Sequence, residues 1–116
     1  MSEEKNKTKL YEIKDGCLIY YLPKELDHYY ADYIKSKTEN IFRKEQVEII
    51  VFDFSLTEFM DSSGIGLITG RYRKICDMGG KTCVINMNES IDKLLLMSGI
   101  YRIVEKLNSI SEVTKQ

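Results

Sequence analysis

The sequence has no tryptophan, a single proline (Pro23), a single histidine (His28) and three widely spaced cysteines. Each shortage excludes something. A His/Cys metal centre needs a cluster that one histidine and scattered thiols cannot supply, so no metal is expected. Cys17, Cys76 and Cys83 are odd in number and form no Cys-x-x-Cys pair. They are predicted to be reduced thiols in or near the core, as suits a reducing cytosol. No apolar run approaches the about 20 residues that span a bilayer. The stretch from Met1 to Lys9 is polar throughout, so neither signal peptide nor anchor is expected there. The chain is read as cytoplasmic, with residues 1–9 as a flexible lead. A charge bias is missing too: 17 Lys and Arg face 18 Asp and Glu, a net charge of -1. Nucleic-acid binding calls for a clustered basic surface, and the densest basic run, Arg71-Tyr72-Arg73-Lys74, is short. Neither nucleic acid nor membrane is expected as a direct partner.

What is present describes one ordinary globular domain over residues 1–116. Apolar residues make up 43% and charged residues 30% of the chain, enough for one modest core and too apolar for a disordered chain. Leu10 to Lys14 alternates, Asp15-Gly16 supplies a two-residue turn, and Cys17 to Leu22 returns as a strand ended by Pro23. Asp27 caps a predicted helix running to about Lys44, with Tyr30, Tyr33, Ile34, Ile41 and Phe42 at helical spacing. Val47 to Phe54 is almost continuously apolar, the pattern of a strand buried on both faces. A second helix is predicted from its cap Asp61 to Gly79-Gly80, then a strand over Lys81 to Met87. Asn88 or Ser90 caps a third helix ending at Ser98-Gly99. A short strand from Tyr101 to Val104 and a polar tail able to form a terminal helix complete the chain. Strands alternating with helices after a hairpin predict an α/β fold: a mixed sheet of about five strands packed with three to four helices.

The helix capped by Asp61 breaks a local rule. Gly64, Gly66 and Gly70 lie within it, each costing about 1 kcal/mol relative to alanine. Its apolar stripe is read as Ile65, Ile68, Tyr72 and Ile75. The opposite face then gathers Ser62, Ser63, Gly66, Gly70, Arg73 and Lys74, with Leu67 among them. Ser62, Gly66 and Gly70, four residues apart, are expected to make a smooth exposed groove, which serves either close packing against a neighbouring element of the same domain or, as a solvent-facing Leu67 favours, the approach of another protein with Leu67 as its apolar contact. Ser62 and Ser63 stand in the first turn, where free amides and the helix dipole favour an anion. A phosphoryl group there would leave the fold intact and add about -1.5 to -2 charge to the docking face. Geometry alone does not separate Ser62 from Ser63.

Other chemistries fit poorly. A serine hydrolase needs a base, yet His28 is the one histidine and no Gly-x-Ser-x-Gly elbow exists. A receiver domain would use Asp53, but Leu22-Pro23 stands where its metal-binding acids belong; Asp53 is read as a strand-end hydrogen-bonding residue. Gly64, Gly66 and Gly70 are one residue out of step with a dinucleotide fingerprint. No catalytic residue and no cofactor is assigned.

The run Phe59-Met60-Asp61-Ser62-Ser63-Gly64-Ile65-Gly66, continuing through Gly70-Arg71-Tyr72 to Gly79-Gly80, resembles the anti-sigma factor antagonists of the STAS domain family. The sporulation type that opposes the anti-sigma F factor is the most similar. Glu25-Leu26-Asp27-His28 and Met97-Ser98-Gly99-Ile100 extend the resemblance, which covers roughly Leu10 to Leu107. It departs at Pro23-Lys24, where members often carry Thr-Gly or a similar pair. The resemblance implies a non-enzymatic switch with a STAS-like fold. The unmodified form binds an anti-sigma factor, an ATP-dependent serine kinase, and frees a sigma factor. The kinase phosphorylates the serine after the motif aspartate, here Ser62, and a serine phosphatase reverses this. Asp27 and Asp61 match acidic positions flanking that serine. The expected partner-binding set is Asp27, Asp61, Ser63, Gly64, Gly66, Leu67 and Gly70. The alternative is a general-stress or scaffold STAS module with a different partner.

Overall fold

The computed structural model describes residues 9–114. The expected flexible lead, apart from Lys9, lies outside the described residues. Strands β1 (Tyr11–Lys14) and β2 (Cys17–Tyr21) form the hairpin, with Tyr11 opposite Tyr20 and Lys14 opposite Cys17. Its turn needs positive φ at both central residues, and Asp15 and Gly16 supply 52° and 78°.

After the hairpin come β3 (Glu25–Leu26), α1 (His28–Thr38), α2 (Ile41–Lys44), β4 (Ile49–Asp53) and β5 (Phe59–Met60). They are followed by α3 (Ser62–Asp77), β6 (Lys81–Ile85), α4 (Glu89–Ser98), a 3-10 turn (Ile100–Arg102), β7 (Glu105–Lys106) and α5 (Ile110–Thr114). The main sheet has the order β1-β2-β4-β6-β7, and every pairing after the hairpin is parallel. As its apolar run predicts, β4 is central. A separate parallel ribbon joins β3 to β5, with Glu25 opposite Phe59 and Leu26 opposite Met60.

One sheet face, with Leu18, Tyr20, Ile50, Phe52 and Val84, packs under Ile34, Ile68, Ile75 and Leu95 of the helices. Tyr20 and Phe52 stack at 5.0 Å between centroids. The other face, with Cys17, Ile19, Val51, Cys83 and Ile85, packs against Val113 of α5 and Leu107. Cys17 and Cys83 are free and buried as expected, whereas Cys76, also expected in or near the core, is free and exposed on α3.

Three expectations are corrected. The predicted helix to Lys44 is two helices. The Thr38 hydroxyl donates back to the Ile34 carbonyl, and Asn40 at ψ -8° turns the chain so that Ile41 and Phe42 reach the core. Tyr30 and Tyr33 are 37% and 40% exposed; Ala31, Ile34 and Thr38 are the residues α1 buries. The predicted strand from Tyr101 to Val104 is a 3-10 turn followed by a later strand. Gly99, at φ 84°, ends α4, and the Ile103 and Val104 amides still bond to the Ile100 carbonyl. That extra turn buries Ile100 and Val104 before the chain reaches the sheet edge.

The rear of α3 is tied to the end of α1 by a charge cluster. Arg71, its side chain only 3% exposed, donates Nη2 to Glu39 Oε1 at 3.1 Å. Lys74 reaches Glu39 Oε2 at 2.6 Å, and the Phe42 ring lies 5.6 Å from the Arg71 guanidinium.

Candidate functional site

The β3–β5 ribbon sets two helix starts side by side. Each of its strands runs directly into an aspartate that caps a helix. Asp27 Oδ1 accepts from the Tyr30 amide at 3.0 Å, and Asp61 Oδ1 accepts from the Ser63 amide at 2.8 Å. Both caps have extended backbones, the geometry in which a carboxylate can close the first helical turn. The Leu26 carbonyl also accepts from the Asp61 amide at 3.3 Å. The two aspartates therefore follow the two members of one ribbon pair, Leu26 and Met60.

Ser62 is the first residue of α3 and is exposed. Ser63 is half-buried, its amide held by Asp61. Along the helix, Gly66 and Gly70 are exposed, and a Cβ on either would meet no atom within 4 Å. Ser62, Gly66 and Gly70 thus share an open face.

Two members of the expected set are not on that face. Leu67, expected as the solvent-facing apolar contact, is 5% exposed and part of the core. Gly64 is buried too. A Cβ on Gly64 would overlap Cγ and Sδ of Met60 and lie 3.1 Å from Cδ2 of Leu26, so its missing side chain serves the packing of α3 on the ribbon. The buried stripe of α3 is Gly64, Leu67, Ile68, Arg71 and Ile75, not Ile65, Ile68, Tyr72 and Ile75. Ile65 is half-buried and stands as the apolar neighbour of the open face. A buried glycine and a buried arginine hid this stripe from a reading based on apolar spacing.

Sequence reading missed a groove of about 470 Å³ between the ribbon and α4. Leu26 and Ile91 line its buried base, and Phe59 and Met97 stand in it 64% and 76% exposed. Glu25, Asp27, Glu58 and Asp61 bring four carboxylates to it, against Lys93. The visible signal was the pair of large apolar side chains bordering the motif segments, Phe59 and Met97.

Other candidate residues stand elsewhere. His28 pairs with Asp32 on the surface at 3.4 Å, its side chain 79% exposed. Asp53 accepts from the Ser55 amide at 2.9 Å and from Asn86 Nδ2 at 3.1 Å, closing the end of β4. Among the described residues, no cluster of His, Cys, Asp and Glu could hold a metal ion, and no helix is long and apolar enough to cross a membrane.

Comparison with known proteins places this geometry. The model of the STAS domain matches residues 8–113. An anti-sigma F factor antagonist of Paenibacillus polymyxa is 36% identical over 102 residues, covering 84% of this chain and 87% of the relative. The solved structure of the anti-sigma factor antagonist SpoIIAA in its unphosphorylated form is 27% identical with a TM-score of 0.72, covering 91% of this chain and 92% of that one. The phosphorylated form of SpoIIAA, described as a Bacillus cell fate determinant, is 28% identical with a TM-score of 0.71, covering 90% and 96%.

Proposed function

The chain belongs to the STAS domain family, and from that membership we propose that it is an anti-sigma factor antagonist switched by phosphorylation of Ser62. Its unmodified form binds an anti-sigma factor that is also an ATP-dependent serine kinase, which releases a sigma factor in the cytoplasm. The kinase transfers phosphate to Ser62, the complex separates, and a serine phosphatase restores the starting form. One observation carries this reading: an exposed Ser62 begins α3 on the same open face as Gly66 and Gly70.

The physics of the switch is local. A phosphoryl group on Ser62 sits at the positive end of the helix dipole, which favours an anion and leaves the fold in place. The docking face fares differently, because about -1.5 to -2 charge appears next to Asp61. A partner fitted to the neutral surface of Gly66 and Gly70 then meets a charge that it must desolvate. Asp27, Asp61 and Ser63 border the site, and Gly66 and Gly70 give the close approach. Gly64 and Leu67 support the helix from beneath rather than touching the partner.

The test is to mix the purified protein with the candidate kinase and ATP and to map the product by mass spectrometry. Phosphate on Ser62 is expected; phosphate on Ser63 overturns the assignment. Ser62→Ala binds the kinase without accepting phosphate, and Ser62→Asp binds about tenfold more weakly or worse, about 1.4 kcal/mol.

A further inference from the structure

We propose that Arg71 is a positioning residue for the switch: it clamps the end of α1 through Glu39 and so fixes the angle at which α1 and α3 present Asp27 and Ser62 together. This rests on the function proposed above and adds to it a buried residue that no partner touches.

Arg71 lies in the buried stripe of α3 between Ile68 and Ile75, its side chain only 3% exposed. Its Nε and Nη1 are buried without a hydrogen-bond partner, while Nη2 donates to Glu39. A guanidinium buried in that state costs stability, and an apolar side chain of similar volume would fill the place at less cost. A charge pair supplies something else. It fixes a direction and a distance, whereas apolar contact is non-directional.

The clamp stands where an angle can be set. α1 and α3 leave the ribbon side by side, since their caps Asp27 and Asp61 follow the paired residues Leu26 and Met60. Glu39 is 12 residues beyond Asp27, and Arg71 and Lys74 are 10 and 13 residues beyond Asp61. At about 1.5 Å per residue, both helices have advanced about 15–20 Å where Glu39 meets the two cations. One tie, the ribbon, sets the distance between the helix starts; the second, at matched reach, sets their splay. Thr38, the last residue of α1, holds the same end to the sheet, its hydroxyl 3.0 Å from that of Tyr20. A kinase that grips the α1 cap and the open face of α3 at once loses fit when the splay changes, although neither contact surface is altered.

The experiment measures steady-state phosphorylation of the protein by its purified anti-sigma kinase with ATP. Arg71→Met is expected to lower kcat/KM about tenfold, through a higher KM at little-changed kcat, with a urea midpoint no lower than wild type. Arg71→Lys, which keeps a cation within reach of Glu39, is expected to recover most of the loss. Arg71→Met combined with Glu39→Gln should be no slower than Arg71→Met alone, as for two ends of one clamp. Without any kinase, the amide resonances of Tyr30 and Ser63, the donors to the two caps, should shift in Arg71→Met. Unchanged kinetics and unchanged resonances, with Ser62 still phosphorylated, overturn the clamp and leave the proposed function standing. A kinetic loss that Ile85→Ala, on the other face of the sheet, reproduces at an equal fall in urea midpoint makes Arg71 merely structural and overturns the proposal. Wild-type protein that accepts no phosphate overturns both readings.

Discussion

Replacing Gly64 with alanine, and separately Gly66, separates the two roles that glycine plays in α3. The positions are two residues apart in one helix, so alanine gains about 1 kcal/mol of helix propensity at each. Their surroundings differ. At Gly64 the new methyl overlaps Met60 Cγ and Sδ and lies 3.1 Å from Leu26 Cδ2. Leu26 is fully buried and belongs to a strand paired with that of Met60, so the repair is a shift of the Met60 side chain or of the whole helix start. Overpacking of this kind costs about 1–3 kcal/mol. At Gly66 the methyl meets nothing within 4 Å. Gly66→Ala is expected to stabilise by about 1 kcal/mol, and Gly64→Ala to be neutral or destabilising by up to about 2 kcal/mol. The propensity gain cancels between the two, leaving a gap of about 1–3 kcal/mol that belongs to packing. Urea unfolding followed by circular dichroism reads it as a midpoint difference at equal slope. Gly64→Ala as stable as Gly66→Ala would refute the packing role.

Leu67→Ala is expected to lose about 2–5 kcal/mol in the same assay, as a core leucine does; a loss below 0.5 kcal/mol, the surface range of about ±0.5, would return Leu67 to the docking face. Asp61→Ala should cost about 0.5–2 kcal/mol through the lost cap, and an unchanged urea midpoint would contradict the capping geometry. Glu39 is held at a pKa of about 2, against 4.5 for a free glutamate, by Lys74 first and Arg71 second. A carboxylate depressed on folding stabilises fully above its unfolded pKa and loses that contribution as pH falls toward its folded value. Glu39→Gln should therefore be less stable than the wild type at neutral pH by about 1 kcal/mol or less, because the Glu39 side chain is 47% exposed and water screens its ion pairs. Wild type and variant should converge between pH 4.5 and about 2. A gap constant across that window would rule out this ion pair as its source.

The fold was legible wherever a local rule decides the outcome. Asp15-Gly16 dictates the hairpin, the apolar run around Ile50 and Phe52 dictates the central strand, and Gly79-Gly80 ends α3 as expected. Ser62 at an exposed helix start followed from the cap preceding it. The rotation of α3 did not follow, because its buried stripe contains a charged residue. Arg71 reads as a surface residue until Glu39, from the end of another helix, is placed against it. Gly64 similarly acquires its meaning from Leu26 and Met60, which lie on two different strands. The groove depends on the distance between Phe59 and Met97 in space, and apolar spacing along one helix carries no record of that.

The ribbon of two residues per strand acts as a spacer of fixed length between two helix origins. Thr57 anchors the loop before β5 through its hydroxyl to the Leu22 carbonyl, and its own carbonyl accepts from Asn88 Nδ2. Side chains in that loop are free to vary at Ser55 and Leu56, both exposed. Its residue count is not. One residue inserted or deleted there would slide Met60 past Leu26, invert which side chains of β5 face inward, and carry Ser62 away from Asp27. Tolerance to substitution and intolerance to change in length would then coexist within a single short loop.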